Sequence, residues 1–398
     1  MSAPLSGDLP TYLVVGPARH GVVRHARSMA AALHRLGLRV PVINLPDVPA
    51  LRAWAVGRAA SVGTGRAPSP GPALSAGPVH VDVTDALFGA TPDEAVRVLT
   101  ESLPDRTTLT LHDVPQPAEG VVRFARRARA YAELTRWAAG TVVSSRHEFA
   151  LLEELLPGGL AGAPHGPTAV VPLPVEDRRA CASPGPVDAV VAGQHPAGGP
   201  AGGPSGVPCG GLAADVVLLG FLYPGKGHAE ALDALALLRD RGVPGPRRVT
   251  ALGAVASGHE PLVDELHRRA RTAGLDFRVS GFVPDGTLDS VLRSAGIPFA
   301  AHHNVSASGS LAAWMSVGRR ALVPSSRYVR EMERLRPGTL TLVEPASGEG
   351  SPVAALAAGI AAATADPGLT RIRPTASLGP GPEDAAQLLA AFWRQAHG

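Results

Sequence analysis

The chain has 398 residues, a formal net charge of +3, a pI near 9.2 and 45% apolar residues. This length predicts two domains, and no apolar run approaches the ~20 residues of a membrane span, which argues against an integral membrane protein. The basic excess is arginine spread along the chain, unlike the clustered footprint of a nucleic-acid-binding protein. The N-terminus lacks the pattern of a signal peptide. Cys181 and Cys209, the only cysteines, fit a reducing cytoplasm, with a disulfide between them left open.

The first half of the chain alternates apolar strands with helical segments. A strand at Thr11–Val15 leads into a turn bounded by Gly16 and Gly21. The segment VVRHARSMAAALHRLG then has apolar residues three or four apart, typical of an amphipathic helix, and ends at Gly37. Further strands are predicted at 40–45, 79–83, 107–111, 141–143 and 169–173, and a Gly-, Pro- and Ser-rich loop at 59–77.

Polar side chains follow several of these strands, at the edge where open α/β sheets bind ligands. His20 and Arg24 lie at the first glycine turn, where a ligand contact and an ordinary surface position are both open. His112 and Asp113 directly follow the strand at 107–111 and are candidates for chemistry or acceptor contact. The alternative is structural: Asp113 caps the next segment and His112 is a hydrogen-bonded side chain without a catalytic role. Ser145 is predicted to cap the following helix or to bind a ligand.

Glycine and proline dominate residues 177–214, which cannot bury enough apolar surface to order themselves. We therefore predict a mobile loop there, between a first α/β domain at 1–176 and a second at 215–382. The tail, 383–398, contains an amphipathic helix that is predicted to pack back on the first domain.

The second domain opens with VVLLGFLYPGKGHA, a buried strand, a glycine turn and a helix start. Gly225 and Gly227 flank Lys226 at the tip of the turn. Free backbone N–H groups, the positive end of the helix dipole and one lysine together predict a phosphate site.

Two other interpretations of this turn remain open. Gly220 to Lys226 matches G-x-x-x-x-G-K, the start of a P-loop, but Gly227 stands where a P-loop needs the Mg²⁺-binding hydroxyl. Pro224 also removes one backbone N–H group. A purely structural glycine turn with a solvated lysine is the third interpretation.

A second Ser/Gly turn at 306–310 precedes the helical segment LAAWMSVG. Two such helix starts on alternating β/α units can hold both ends of a diphosphate. The predicted donor-binding residues are Gly225, Lys226, Gly227, Asn304, Ser306, Ser308, Gly309, Ser310 and Leu311.

Taken in order, six segments resemble glycosyltransferase family 4, whose retaining enzymes use nucleotide-sugar donors. They are GVVRHARSMAAALHRLG, TLTLHDVPQP, TVVSSRHE, VVPLPV, VLLGFLYPGKGH and SASGSLAAWMSVGRRALVPSSRYVREM, and they span most of the chain apart from the two Gly/Pro-rich loops. The resemblance implies an α/β protein of the GT-B fold, with two Rossmann-like domains facing each other across a cleft. It also implies that Lys226 contacts the donor phosphate and that His112 approaches the donor sugar.

Two departures from the family pattern concern the donor. Phe221 stands where the family has a phosphate-binding arginine, and Val305 and Ala313 replace its paired glutamates. Those glutamates contact sugar and ribose hydroxyls, so their absence indicates a donor with fewer hydroxyls or a loss of activity. The last segment resembles transferases of antibiotic clusters that add deoxysugars to aminocyclitols.

The sequence and this resemblance together imply a cytoplasmic, metal-independent hexosyltransferase or other glycosyltransferase without a cofactor, and the resemblance alone implies that it is a retaining enzyme. It would move a sugar from a dTDP, UDP or GDP donor to a small-molecule acceptor such as an aminocyclitol, in antibiotic biosynthesis. Its predicted catalytic residues are His112, Asp113 and Lys226, and its predicted acceptor or phosphate loop comprises Gly16, His20, Gly21, Arg24 and Ser145. A non-catalytic relative that assists another enzyme and a GT-B-fold sugar-nucleotide epimerase stay open, the latter with only Asp113 and Glu260 as candidate acids.

Overall fold

The computed structural model of the protein describes residues 9–64, 77–156, 158–159, 166–180, 209–344 and 351–398. Most of the loop predicted at 177–214, with Cys181, lies outside these residues, as does most of the loop predicted at 59–77. A helix covers Val48–Thr64. The predicted loop at 59–77 therefore begins too early, because residues 59–64 are helical. Among the described residues, no helix has both the length and the apolar character needed to cross a membrane.

The chain divides into two compact units. The first comprises Met1–Pro174, Asn304–Ala307 and Pro380–Gly398, and the second comprises Val175–His303 and Ser308–Gly379. Asn304 and Ser306, which the sequence analysis assigned to the donor domain, therefore lie in the first unit.

The first unit contains a six-stranded parallel sheet with strand order β2-β1-β3-β4-β5-β6. The strands are β1 (Thr11–Val15), β2 (Val42–Leu45), β3 (Val79–Val83), β4 (Thr107–Leu111), β5 (Gly140–Val143) and β6 (Thr168–Val170). The helices are α1 (Gly21–Arg35), α2 (Val48–Thr64), α3 (Asp85–Phe88), α4 (Pro92–Ser102), α5 (Val121–Trp137), α6 (Arg146–Leu155) and, at the C-terminus, α13 (Pro382–His397).

Apolar side chains on both faces of this sheet build two cores. Leu13, Val81 and Leu109 belong to one of them, and Tyr12 and Val14 point into the other with the buried face of α1. The helix α13 completes the second core, where Trp393 is almost fully buried. A parallel sheet covered on both faces explains why the strands are nearly continuous apolar runs.

The second unit has a four-stranded parallel sheet with strand order β10-β7-β8-β9, and a parallel pair, β11-β12, that joins it through a bridge between Phe299 and Leu322. The strands are β7 (Val216–Leu219), β8 (Arg248–Leu252), β9 (Asp276–Val279), β10 (Ile297–Pro298), β11 (Ala321–Pro324) and β12 (Leu340–Val343). The helices are α7 (His228–Asp240), α8 (Glu260–Thr272), α9 (Asp285–Ser294), α10 (Gly309–Ser316), α11 (Arg327–Leu335) and α12 (Pro352–Ala365).

Strand order reverses at one point in each sheet. In the first unit the chain runs from β1 outward to β2 and then returns to β3 on the other side of β1. In the second unit β8 and β9 lie on one side of β7, and β10 lies on the other. Open α/β sheets bind ligands beyond the carboxyl ends of the strands at such reversal points. This rule selects the turns after β1 and β7.

Candidate functional site

The turn after β7 has the conformation that its glycines predict. Gly220, Gly225 and Gly227 have φ values of 110°, 80° and 103°, a region that residues with a Cβ atom rarely adopt. A Cβ atom at Gly227 would also lie 3.0 Å from the side chain and the carbonyl oxygen of Ala301, which follows β10. The strand, turn and helix that the sequence predicted here are confirmed.

Lys226 is buried at the tip of this turn, with 7% of its surface exposed. It is the only lysine in the sequence, whose other basic residues are all arginine or histidine. Its Nζ atom lies 5.7 Å from the centroid of the Tyr223 ring, and no carboxylate of the described residues pairs with it. Burial without a counter-charge lowers the Lys226 pKa to about 8.

Two histidines beside Lys226 supply no negative charge. His228 is buried, and neither of its ring nitrogens has a hydrogen-bond partner among the described residues. Burial, followed by the charge on Lys226, lowers the His228 pKa to about 3, and the same causes lower that of His302. Both rings are therefore neutral at pH 7, and Lys226 is the one fixed cation of this turn.

No side chain of the described residues caps the first turn of α7. Its N-cap residue is Gly227, which has no side chain to accept a hydrogen bond from the free N–H groups. His303 donates its backbone N–H to the carbonyl oxygen of Gly225 at 3.0 Å, and its ring lies 2.5 Å from a carboxylate oxygen of Glu230. The turn thus presents uncapped N–H groups and a buried ammonium group, which is the donor set of an anion site.

The start of α10 is capped internally. The hydroxyl oxygen of Ser308 accepts a hydrogen bond from the N–H of Leu311 at 3.3 Å and lies 3.1 Å from the hydroxyl of Ser310. The N–H of Ser308 donates to the hydroxyl of Tyr328. Gly309 is exposed, and Leu311 belongs to the buried apolar residues. These polar groups have partners already, unlike those at the start of α7.

Ser306 is bound within the first unit. Its hydroxyl donates to the Glu148 carboxylate at 2.9 Å, and its carbonyl oxygen accepts from the hydroxyl of Ser145 at 3.0 Å. Ser145 also caps α6, where its hydroxyl accepts the N–H of Glu148 at 2.9 Å. Glu148 is fully buried, and burial raises its pKa to about 7 against the favourable influence of His112 and of its hydrogen-bond donors. Asn304, in the same segment, is exposed.

An open cavity of about 860 Å³ lies at the strand-order reversal of the first sheet. Residues after β1, β2 and β3 line it, and among them are Gly16, His20, Asp47, Arg52 and Glu94. Its walls are otherwise mainly apolar: Pro17, Pro46, Val48, Pro49, Ala86, Leu87, Phe88 and Ala90, with Gly89. Of the predicted acceptor loop, Gly16 and His20 line this cavity, whereas Gly21 begins α1 and Arg24 is exposed on that helix.

His112 and Asp113 follow β4, and the backbone bends sharply at Asp113. Asp113 has φ 58°, the one left-handed residue other than glycine among those described. Arg127 fixes this bend, because its guanidinium donates to the carbonyl oxygen of Asp113 at 2.7 Å and to its carboxylate at 3.0 Å. The hydroxyl of Tyr131 donates to the carbonyl oxygen of His112 at 2.9 Å.

The side chain of His112 lies in a buried polar cluster that the sequence analysis missed. Its Nε2 atom is 2.7 Å from a carboxylate oxygen of Asp82, whose other oxygen accepts a hydrogen bond from the hydroxyl of Tyr12. His25 lies 3.7 Å from the first of these oxygens. The ligand atoms of His25, Asp82 and His112 lie within 4.8 Å of one another, so this trio has the spacing of a cation site. The signal in the sequence was VHVDV, in which two polar residues occupy a strand that is otherwise apolar and buried.

Solved structures with a similar fold include a glycosyltransferase from Rickettsia africae, at 12% identity and a TM-score of 0.53, over 98% of this chain and 95% of that one. HepE from Anabaena, in complex with UDP and glucose, matches at 17% identity with a TM-score of 0.56, over 97% of this chain and 95% of that one. Sucrose-phosphate synthase from Thermosynechococcus elongatus matches at 15% identity and a TM-score of 0.59, over 98% and 97%. The OtsA apo structure matches at 11% and 0.53, over 97% and 96%.

This chain has the GT-B fold. No family model and no curated protein matches its sequence. The expected fold class, an α/β protein of the GT-B type with two Rossmann-like units, is therefore confirmed at the level of architecture.

Proposed function

We propose that this protein is a glycosyltransferase that takes its sugar from a nucleoside diphosphate donor, and that the turn after β7 binds the donor diphosphate. The observation that carries the proposal is the environment of Lys226, a buried ammonium group at a strand-order reversal that pairs with no carboxylate in the part of the chain that the structure describes. A bound diphosphate supplies the missing negative charge. HepE, a protein of similar fold, has been captured with UDP and glucose.

The proposed chemistry uses charge that is fixed before the reaction begins. As the bond between the sugar and the diphosphate breaks, negative charge grows on the departing phosphate. Lys226 and the uncapped N–H groups of α7 stabilise that charge, an electrostatic role that requires no metal ion. We propose retention of anomeric configuration from the resemblance to glycosyltransferase family 4.

The first unit is the proposed acceptor side. The cavity after β1, β2 and β3 is large enough for a small cyclic molecule, and the carboxylates of Asp47 and Glu94 and the guanidinium of Arg52 lie around it. An acceptor that bears hydroxyl or amino groups, such as an aminocyclitol, matches such a lining. His112 and Asp113 remain the proposed reactive residues of this unit, and a role in cytoplasmic antibiotic biosynthesis is part of the same proposal.

The donor sugar that we propose is poor in hydroxyl groups. Val305 and Ala313 stand where the resembling family has glutamates, and Ser308 and Ser310 are already hydrogen-bonded to each other. A deoxysugar has fewer hydroxyl groups than a fully hydroxylated hexose, so it needs fewer hydrogen-bond acceptors in a buried site. dTDP, UDP and GDP are the donor nucleotides to compare.

The test is a calorimetric titration of the purified protein with dTDP, UDP, GDP and ATP, with Mg²⁺ and with EDTA. The expected result is metal-independent binding of one nucleoside diphosphate. The corresponding sugar nucleotide is then incubated with a panel of aminocyclitols and other small acceptors, and glycosylated product is detected by mass spectrometry.

Each other outcome selects a different function. Binding of ATP alone, and only with Mg²⁺, indicates the P-loop interpretation. Conversion of the sugar nucleotide without an acceptor indicates an epimerase. Binding of no nucleotide contradicts the proposal and indicates a non-catalytic partner of another enzyme.

A further inference from the structure

Three adjacent strands of the first unit bring Tyr12, Asp82 and His112 together. Tyr12 is on β1, Asp82 is on β3 and His112 follows β4, and these strands are neighbours in the sheet. All three side chains are buried. One carboxylate oxygen of Asp82 accepts from the hydroxyl of Tyr12, and the other lies 2.7 Å from Nε2 of His112.

This arrangement decides which ring nitrogen of His112 is available. Nε2 is committed to Asp82, whereas Nδ1 makes no hydrogen bond within the described part of the chain. The backbone is held as firmly as the ring, because the His112 N–H donates to the carbonyl oxygen of Val83 at 2.8 Å and the His112 carbonyl oxygen accepts from Tyr131. The hydrogen bond made by one ring nitrogen sets the state of the other.

We propose that Asp82 is a positioning residue, supported by Tyr12, that holds the His112 ring through Nε2 so that Nδ1 is the atom that donates to a hydroxyl group of the substrate. The proposal rests on the proposed function for the presence of a sugar substrate. Asp82 itself contacts no substrate in this scheme.

The charges around the ring favour a protonated His112. Burial opposes protonation, but the hydrogen bond and the charge of Asp82 outweigh it, and the His112 pKa is raised. Tyr12 keeps its proton, since burial and the Asp82 charge raise its pKa, so it serves as a donor to Asp82. The other titratable groups that face this cluster are His20, His25, His80, Asp113 and Glu148.

Side chains behind the cluster restrict its movement. Both ring nitrogens of His80 are hydrogen-bonded, to Thr108 at 2.9 Å and to Thr110 at 3.0 Å. The His80 ring contacts the edges of Tyr12 and Trp393 at centroid distances of 5.1 Å. Tyr12 therefore has little freedom to swing away from Asp82, as expected of a support for a positioning residue.

The alternative interpretation of this cluster is a cation site, in which His25, Asp82 and His112 would be the ligands. The Nε2 of His112 and the carboxylate of Asp82 already face each other at hydrogen-bond distance, so a cation would have to replace the proton between them. The experiment therefore includes Zn²⁺ as a probe.

The test is NMR titration of ¹³C,¹⁵N-histidine-labelled full-length protein, with His112 assigned by its loss in His112→Gln. In the wild type we expect Nε2 of His112 to carry a proton and the ring to titrate above 6.5. Asp82→Asn keeps an oxygen acceptor but removes the charge, and should lower the His112 pKa by about one unit or more.

Tyr12→Phe is the second variant; it removes the hydroxyl that donates to Asp82, leaves more negative charge on that carboxylate, and should shift the His112 pKa in the opposite direction, upward, by less. An unchanged His112 pKa and tautomer in both variants would overturn the proposal. So would binding of Zn²⁺ by the wild type that is lost in His25→Gln. These readouts need no sugar or nucleotide, so they stand whether or not the proposed glycosyl transfer is found.

Discussion

The Nζ atom of Lys226 packs closely against Gly220, since a Cβ atom at residue 220 would lie only 3.3 Å from it, closer than ordinary van der Waals contact. The missing side chain of Gly220 thus creates the space for a buried ammonium group. A compact ammonium group fits this space, whereas a planar guanidinium is wider. This explains why a chain whose basic residues are otherwise arginine and histidine has a lysine at this one position.

Replacement of Lys226 should weaken nucleoside diphosphate binding. Loss of a charge-assisted hydrogen bond costs ~1.5–3 kcal/mol, which is roughly a 10- to 100-fold rise in the Kd for Lys226→Ala. Lys226→Arg should not restore affinity, because the guanidinium does not fit beside Gly220. Calorimetry measures both effects. Arg268→Ala removes an exposed positive charge from the same unit and should leave the Kd unchanged; an equal loss in that variant would indicate a long-range charge effect.

Gly227→Ala should destabilise the second unit. The residue has φ 103°, and the new methyl group would meet Ala301 at 3.0 Å, so the cost is about 1–3 kcal/mol or more. Gly286→Ala is the matched control, since that glycine lies exposed in the first turn of α9 with open space around its Cβ position. Urea unfolding compares the two. Equal stability of both variants would show that the turn relaxes without cost.

Arg127→Met should destabilise the first unit strongly. The guanidinium is 3% exposed and pairs with Asp85, Asp113 and Glu119, so its removal leaves carboxylates without their partner. The expected loss is about 3–5 kcal/mol, as for other broken buried ion pairs. Arg126→Met, at the exposed neighbouring position, should change the free energy of unfolding by less than ~0.5 kcal/mol. Similar losses in both variants would contradict this role of Arg127.

Glu148 should make stability decline as the pH rises. Its pKa is raised to about 7 in the folded protein against 4.5 ordinarily, so the folded state binds the proton more tightly. The stability that this adds is fully present below pH 4.5 and is lost as the pH rises to about 7, a change of about 3 kcal/mol. Glu148→Gln should lack this part of the decline, whereas Glu153→Gln, exposed on the same helix, should retain it. Parallel pH curves for all three proteins, from urea unfolding, would contradict the assignment.

The features that the sequence predicted correctly depend on residues that are close together along the chain. The turn around Lys226 follows from its glycines and the flanking strand and helix, and the capping role of Ser145 follows from its place before α6. Contacts between residues that are distant along the chain could not be predicted from the sequence. The hydrogen bond from Ser306 to Glu148 joins residues 158 positions apart, and no local sequence pattern predicts it.

Polar residues inside otherwise apolar strands are a sequence signal for the buried cluster around His112. Asp82 and His80 alternate with valines in β3, and a buried carboxylate requires partners. Those partners, Tyr12 and His112, come from other strands, so only the sheet order reveals them. Arg127 is one of several arginines on α5, and its role becomes visible only in the structure, where it holds the bend at Asp113.

The most direct test of the central claim uses the single lysine of the chain. Protein grown with [6-¹³C]lysine gives one lysine Cε signal, that of Lys226, whose pH titration reports the pKa of this ammonium group. We expect a pKa of about 8 in the free protein, rising by one unit or more with saturating nucleoside diphosphate, because the anion stabilises the charged form. By the same linkage, diphosphate affinity should fall as the pH rises above about 8. If diphosphate binds and the Lys226 signal and pKa do not change, the phosphate site lies elsewhere and the account of this turn is contradicted.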